Sequence, residues 1–383
     1  MRLLSLLSLL GVVLFVAGCG SEAQPVAPPE APPRPLTAAE RIAAFDPLAA
    51  RSDTTGVDST LLAQALTMAD SLPNLYALVV TRHGEILAEH YKNGYRWTRA
   101  ANIKSGSKSV LSAITGAALT AGVLDSVQQP VAPLLAREVE RLNEPDSLLF
   151  AITIEDLLTM RAGLETTSGR NYGAWVSSRR WVRDALDRPF VDEPGGRMIY
   201  STGTTHLLSA ALTSAAGTST LALGRRYLND ALGTRLPPWP TDPQGIYFGG
   251  NDMLLSPQAL FRFGELYRAG GLYTDADGLV QRALPADWVR ASWTPRTRSP
   301  WSGYHYGYGW WMKLVGPHPV YFAWGYGGQY VFVVPSLSMT VVVLSDPWAR
   351  SGRRSHTPLV HRMLDTLLIP AAIRGAEPVA ATD

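Results

Sequence analysis

Ser105 and Lys108 lie three residues apart in Asn102–Leu119, NIKSGSKSVLSAITGAAL. On a helix that spacing brings both side chains to one face. A serine hydroxyl is a poor nucleophile until a base removes its proton, and a lysine can be that base only as the neutral amine. Its ordinary pKa of about 10.4 must fall by roughly three units, worth about 4 kcal/mol. Burial, a neighbouring cation or the partial positive charge of a helix N-terminus can each contribute, and Lys104 stands next to Ser105 as one such cation. Composition points the same way. Lys92, Lys104, Lys108 and Lys313 are the only lysines among 34 basic residues. Where charge alone is wanted this chain uses arginine, which does not give up its proton, so Lys108 reads as a group kept for proton transfer.

Ser-x-x-Lys is short enough to arise by chance, so its weight depends on the elements around it. Val110, Leu111, Ile114, Ala118 and Ala121 recur at helical spacing and predict a helix with one buried face, with Ser105 at its N-terminal end. Upstream, Leu61, Leu62, Leu66 and Met68 mark a helix ending near Pro73. Tyr76–Arg82 and Ile86–Tyr91 flank His83-Gly84 and predict a hairpin. From about Asp125 to Leu236 the pattern is helical and loop-like, including a helix over Ile152–Met160. A helix over Pro257–Ala269 precedes strands over Tyr304–Lys313, Val320–Trp324, Tyr330–Pro335 and Thr340–Ser345, and a helix over Leu359–Leu368 closes the pattern. Strand-rich ends around a helical middle predict an α/β domain interrupted by an all-α insertion at about 126–245, with the site in the cleft between the two.

The order SGSK, ITIEDLLTMRAGL (Ile152–Leu164), PGGRMIYSTG (Pro194–Gly203) and GYGGQYVFVVP (Gly325–Pro335) resembles the serine β-lactamase/penicillin-binding-protein-like hydrolases, in their class C and esterase-like branch. The resemblance covers about Thr60–Leu368. It implies an antiparallel sheet flanked by N- and C-terminal helices, Ser105 as the acylated nucleophile, Lys108 as its base or proton relay, and Tyr200 as a second base. It implies no metal or organic cofactor. Ser-x-x-Lys is the motif of the related lactamases. A phenol near two cationic groups can lose its proton well below its usual value of about 10, which is the expectation for Tyr200. The glycines of Gly325–Gly328 let a substrate carbonyl lie close to a strand, with the Ser105 N–H and a second N–H near Gly327 as oxyanion donors.

Two departures from the family pattern bear on the substrate. Tyr200-Ser201-Thr202 stands where the family often has Tyr-x-Asn, and Thr202 offers a hydroxyl but no amide to orient an acyl group. The third motif usually opens with Lys or His, whereas Ala323-Trp324-Gly325-Tyr326-Gly327-Gly328 supplies no cation for a β-lactam carboxylate. Thr202, Trp324, Gly325, Tyr326, Gly327 and Gly328 are the expected substrate contacts. A neutral, partly apolar ester or amide is expected over a β-lactam, with Arg296 or Arg298 the candidates to replace the missing charge. The rival readings are a D,D-peptidase or β-lactamase acting on peptidoglycan or β-lactams, and an inactive envelope-binding protein of the same fold. The last has no use for Ser105, Lys108 and Tyr200 together.

Other conspicuous residues read as structural. His206 follows Tyr200 by six residues, but there is no Gly-x-Ser-x-Gly elbow to pair with it in a triad. His83, His90, His305, His318, His356 and His361 show no metal-ligand spacing. Trp301, Tyr304, Tyr306, Tyr308, Trp310 and Trp311 are expected to be half core and half cleft wall.

The N-terminus carries a different kind of signal. Arg2 precedes the apolar run Leu3–Ala17, which as a helix reaches about 22 Å, short of a hydrocarbon core of about 30 Å. This predicts a signal peptide over residues 1–18. Val16-Ala17-Gly18-Cys19 resembles the lipobox of bacterial lipoproteins, which implies a lipidated Cys19. Gly20 in place of the Asp that commonly retains such proteins at the inner membrane implies the outer membrane, facing the periplasm. A proline-rich tether over 19–36, a hydrolase domain over 37–370 and a tail over 371–383 complete the expected organisation. Cys19 is the only cysteine, so the core must stabilise the fold without an intramolecular disulfide. A formal net charge of +2 with scattered basic residues predicts no nucleic-acid partner. The expected partners are a small ester or amide and, through the anchor, a membrane.

Overall fold

The computed structural model describes residues 36–49, 56–349 and 353–375. The expected signal peptide, Cys19 and the tether up to Pro35 lie outside them, as do residues 376–383 of the expected tail. Eight strands form one sheet: β1 (Leu75–Arg82), β2 (Glu85–Tyr91), β3 (Thr297–Arg298), β4 (His305–Tyr306), β5 (Trp311–Val315), β6 (His318–Gly325), β7 (Gln329–Val334) and β8 (Met339–Ser345). Their order is β2-β1-β8-β7-β6-β5-β4-β3, antiparallel throughout. The chain thus leaves the sheet after β2 and returns at Thr297. The β1–β2 hairpin turns on His83 (φ 54) and Gly84 (φ 83), the pair of left-handed residues that a two-residue hairpin loop requires.

Both faces of the sheet are covered. On β7, Val331 and Val333 join one apolar cluster, while Tyr330, Phe332 and Val334 join another. That is the two-residue alternation of a strand buried on both sides. The second cluster is closed by α1 (Ser59–Ser71), through Ala65 and Ala69, and by the C-terminal helix, through Val360, Met363 and Leu364. The first is closed by α2 (Ser107–Thr120) and by the helical middle of the chain, which includes α3 (Ile154–Thr159), α4 (Thr202–Ala216), α5 (Thr220–Leu232) and α6 (Pro257–Arg268). The described residues from Thr37 onward form one compact unit.

Three elements differ from their sequence expectation. α2 has no exposed face along most of its length, because every residue from Ser107 to Ala118 is buried. Its serines and threonines are small enough to be buried, and two of them find carbonyl acceptors: Ser109 donates to the Gly309 carbonyl at 2.6 Å and Thr115 to that of Leu111 at 2.9 Å. Gly116 leaves room for the Trp288 indole, whose atoms lie 2.4 Å from where a β-carbon would stand. The expected strand Tyr304–Lys313 is two strands, β4 and β5. Between them Gly307 N–H bonds the Trp310 carbonyl at 3.0 Å, and Gly309 (φ 76) packs against the α2 backbone at Lys108. The C-terminal helix is longer than its apolar pattern, running over Arg353–Met363, a π-helical Leu364–Leu368 and Ile369–Arg374.

Candidate active site

Ser105 sits in a 3₁₀ turn, Lys104–Gly106, that runs straight into α2. Lys104 has φ 49, a left-handed conformation that a residue with a β-carbon adopts only when held there. Three bonds hold the turn: Lys104 N–H to Asn102 Oδ1 at 2.9 Å, Ser107 Oγ–H to the Lys104 carbonyl at 2.6 Å, and Gly106 N–H to the Ile103 carbonyl at 3.0 Å. One turn along the helix, Lys108 Nζ lies 3.1 Å from Ser105 Oγ and donates to the Gly250 carbonyl at 2.7 Å. The spacing read from sequence therefore brings the two side chains together. Burial pulls the Lys108 ammonium down to about 7, with Asp252 opposing the shift. The cause is desolvation rather than repulsion by Lys104, whose own charge is tied to Asp252 at 3.1 Å.

Tyr200 reaches the same place through the second motif. Met160 ends α3 in a left-handed cap (φ 63), and its carbonyl accepts the Ile199 N–H at 2.8 Å. Gly195 N–H bonds the Arg161 carbonyl at 2.9 Å, and the Thr166 hydroxyl bonds the Tyr200 carbonyl at 2.7 Å. The two stretches ITIEDLLTMRAGL and PGGRMIYSTG thus work as one device that sets the Tyr200 backbone. The phenol has the Ser105 hydroxyl as its polar neighbour, and Lys108 Nζ lies 5.0 Å from the centre of its ring. Its protonation differs from the sequence expectation. Desolvation pushes the Tyr200 phenol up to about 12, with the Ser105 hydroxyl opposing. The expected pair of cations does not act on its hydroxyl: Lys108 lies over the ring face, and Lys104 is paired elsewhere. Tyr200 is therefore a neutral phenol at physiological pH.

Ser105 and Tyr200 open onto a cleft of about 450 Å³, further lined by Trp301, Trp311, Trp324, Tyr326, Gly327, Thr357 and Pro358. The aromatic run divides as expected: Trp301 and Trp311 line the cleft, while Tyr306, Tyr308 and Trp310 are core. Of the expected substrate contacts, Trp324, Tyr326 and Gly327 reach the cleft wall. Gly325 and Gly328 act behind it. A β-carbon on Gly325 would stand 2.0 Å from the Ile103 carbonyl oxygen, so this glycine is what lets β6 pack against the turn that carries Ser105. A β-carbon on Gly328 would meet the His356 ring at 2.7 Å. Thr202 is buried and committed elsewhere: its hydroxyl pairs with that of Ser168 at 3.0 Å and its N–H bonds the same oxygen at 2.9 Å. It does not line the cleft, because it opens α4 facing the Thr166–Ser168 loop.

Neither candidate arginine takes the place of the missing cation on the cleft wall. Arg296 is paired with Glu155 at 3.1 Å, and Arg298 donates to the Gly303 carbonyl at 2.9 Å. His206 has both ring nitrogens occupied, Nδ1 by the Gly249 N–H at 3.3 Å and Nε2 by Asp242 at 3.1 Å. It braces the loop after α5 and faces Trp175, Trp181 and Phe248, a structural role. Sequence reasoning missed Thr357 and Pro358, which the C-terminal helix brings to the cleft, and the Gly249–Asp252 stretch beside Lys108. The run Gly249-Gly250-Asn251-Asp252 was the available signal for the latter.

The Beta-lactamase family model matches residues 75–361, which span every part of this site. The chain belongs to the beta-lactamase family. Its fold is accordingly the α/β serine β-lactamase-like fold, and its relatives are serine hydrolases. No curated protein sequence matches the chain. Among solved structures, a candidate 6-aminohexanoate-dimer hydrolase from Bacillus anthracis is similar at 19% identity and a TM-score of 0.61, covering 85% of this chain and 86% of that one. The octameric penicillin-binding protein homologue from Pyrococcus abyssi is similar at 16% identity and 0.62, covering 83% and 78%. A D-stereospecific amidohydrolase from a Streptomyces species is similar at 16% identity and 0.60, covering 80% and 98%. At these identities the likenesses speak for the beta-lactamase fold alone.

Proposed function

We propose that this protein cleaves a neutral ester or amide through an acyl-enzyme on Ser105. The observation that carries the reading is the Lys108 amine, 3.1 Å from Ser105 Oγ and brought down to about 7 by burial. Because one of its N–H groups is spent on the Gly250 carbonyl, the lone pair of the neutral amine can point at the serine. Lys108 takes the Ser105 proton as Oγ bonds to the substrate carbonyl carbon, and the carbonyl π pair moves onto oxygen. Backbone N–H groups of Ser105 and of the turn at Gly327 receive that oxyanion. The intermediate collapses with cleavage of the bond to the leaving group, which takes its proton from Tyr200 as Tyr200 is reprotonated by the Lys108 ammonium. Water then attacks the acyl carbon and loses a proton to Lys108, and the second intermediate collapses with cleavage of the acyl–Oγ bond as Ser105 Oγ takes that proton back from the Lys108 ammonium, releasing the carboxylic acid. A neutral phenol suits the donor step better than a phenolate. The same chemistry supports Lys108 and Tyr200 as a relay.

The substrate class follows from the wall. Trp301, Trp311, Trp324 and Tyr326 offer area and indole N–H groups, and no lysine or arginine lines the cleft among the described residues. A carboxylate brought there would lose its water without gaining a partner. Short-chain aryl esters should therefore be hydrolysed, with little turnover of penicillins or cephalosporins. Purified protein is assayed with nitrophenyl esters, D-amino-acid peptides and nitrocefin. A higher kcat/KM for nitrocefin or a D-amino-acid peptide than for every ester tested contradicts the substrate reading.

A further inference from the structure

The chain around Gly250–Leu255 runs beside the nucleophile turn, and the relay above uses only one carbonyl of it. The two are laced together. Ala101–Asn102 pairs with Leu254–Leu255, Ile103 N–H donates to the Met253 carbonyl at 3.0 Å, and Met253 N–H donates to Ser107 Oγ at 3.1 Å. At the centre is Asp252, itself left-handed at φ 63. Its Oδ1 accepts the Asn102 amide at 2.7 Å and the Lys104 ammonium at 3.1 Å, while Asn102 Oδ1 accepts the Lys104 backbone N–H at 2.9 Å. One carboxylate oxygen thus closes a ring of bonds onto the residue that precedes the nucleophile. A left-handed lysine is strained and persists only where its surroundings hold it. The ring is shielded as well. Lys104 Nζ lies 3.2 Å from the centre of the Trp348 ring, and the Lys104 and Asp252 side chains are 8% and 18% exposed.

We propose that Asp252 is a positioning residue for the reaction: through Asn102 and Lys104 it holds the backbone conformation that presents Ser105 to the cleft. The proposal rests on the reading of Ser105 as nucleophile. Asp252 has a second effect through its charge. Lys108 faces Ser105, the Gly250 carbonyl and the Tyr200 ring, and Asp252 is the charged group whose field favours its ammonium form. The same carboxylate faces Lys104 and acts on the Tyr172 phenol. Removing its charge makes Lys108 easier to deprotonate, so the neutral base persists to lower pH.

Asp252→Asn keeps an oxygen for Asn102 and Lys104 but no charge, whereas Asp252→Ala removes both. Acylation of the full chain by an aryl ester and by a fluorophosphonate is followed against pH, with thermal melting as the check on folding. Asp252→Asn should retain acylation with its acid limb displaced to lower pH. Asp252→Ala should acylate about 10–100-fold more slowly, the loss expected from a nucleophile out of place by about an ångström, with KM for the ester little changed. An Asp252→Ala variant that matches the parent at all pH values, or an Asp252→Asn variant whose acid limb does not move, overturns the proposal. If Asp252→Ala does not fold, Asn102→Ala cuts the same ring and should show the same loss; parent-like acylation in that variant overturns the proposal. Labelling of the parent at a residue other than Ser105 overturns instead the reading on which the proposal rests.

Discussion

At Lys108 two neighbours divide the hydrogen-bonding capacity of one amine, with the Gly250 carbonyl taking a donor and Ser105 facing the remainder. The other lysines are placed differently. Lys92 donates to the Leu72 carbonyl at 3.2 Å, Lys104 pairs with Asp252, and Lys313 holds Asp365 at 2.6 and 2.7 Å. Burial lowers Lys104 and Lys313 as well, but each is hydrogen-bonded to a carboxylate that opposes the shift. Lys108 is the one whose burial brings it to about 7, and the sign of its pH dependence follows. Below that value the ammonium cannot accept the serine proton, so acylation should fall as pH drops through about 7 and level off above it. Lys108→Arg keeps the charge without the basicity and should lower acylation by at least about 100-fold at every pH. Stopped-flow acylation rates against pH check both statements, and a flat profile in the parent contradicts them. The Ser-Lys spacing was legible because three residues on a helix share a face. The protonation of Tyr200 was not, because the Trp301 and Trp311 walls that help enclose it arrive from distant parts of the chain.

Among the elements, β6 and the 3₁₀ turn carry the closest approach in the site. The sequence showed a glycine-rich turn, and β6 to β8 were legible as aromatic and β-branched runs because both of their faces are buried. The reason for Gly325 itself was not visible, since it depends on a carbonyl more than two hundred residues away. Gly325→Ala should push β6 off the Ile103 carbonyl, because a β-carbon 2.0 Å from a backbone oxygen cannot be absorbed by a side-chain rotation. The expected cost is about 1–3 kcal/mol of stability together with a large loss of kcat/KM. Gly173→Ala, in open space by the same measure, should leave both near the parent value. Chemical denaturation and ester kinetics on the two variants decide it, and equal behaviour of the pair contradicts the packing argument. The break between β4 and β5 escaped the aromatic pattern for a related reason: Gly307 and Gly309 turn the chain where it meets α2, and alternation alone does not show such a contact.

For the whole molecule, α2 lies between the sheet and the helical middle, so the turn that carries Ser105 is braced by both. The element order was legible in the switch from strand to helix to strand periods, and the site at their junction followed from it. Among the described residues no single helix is long and apolar enough to cross a membrane. Membrane association is proposed through Cys19, on the strength of the Val16–Cys19 motif and the proline-rich stretch behind it. Cys19→Ala should move the protein from the membrane fraction to the soluble fraction or block its processing, and an unchanged mature mass and location contradicts the anchor. The central claim, an acyl-enzyme on Ser105, is tested most directly by intact-mass spectrometry of the purified protein after exposure to a fluorophosphonate, followed by mapping of the modified peptide. The account predicts one stoichiometric adduct on the peptide carrying Ser105 and none on a folded Ser105→Ala variant, whereas stoichiometric labelling that persists in that variant contradicts it.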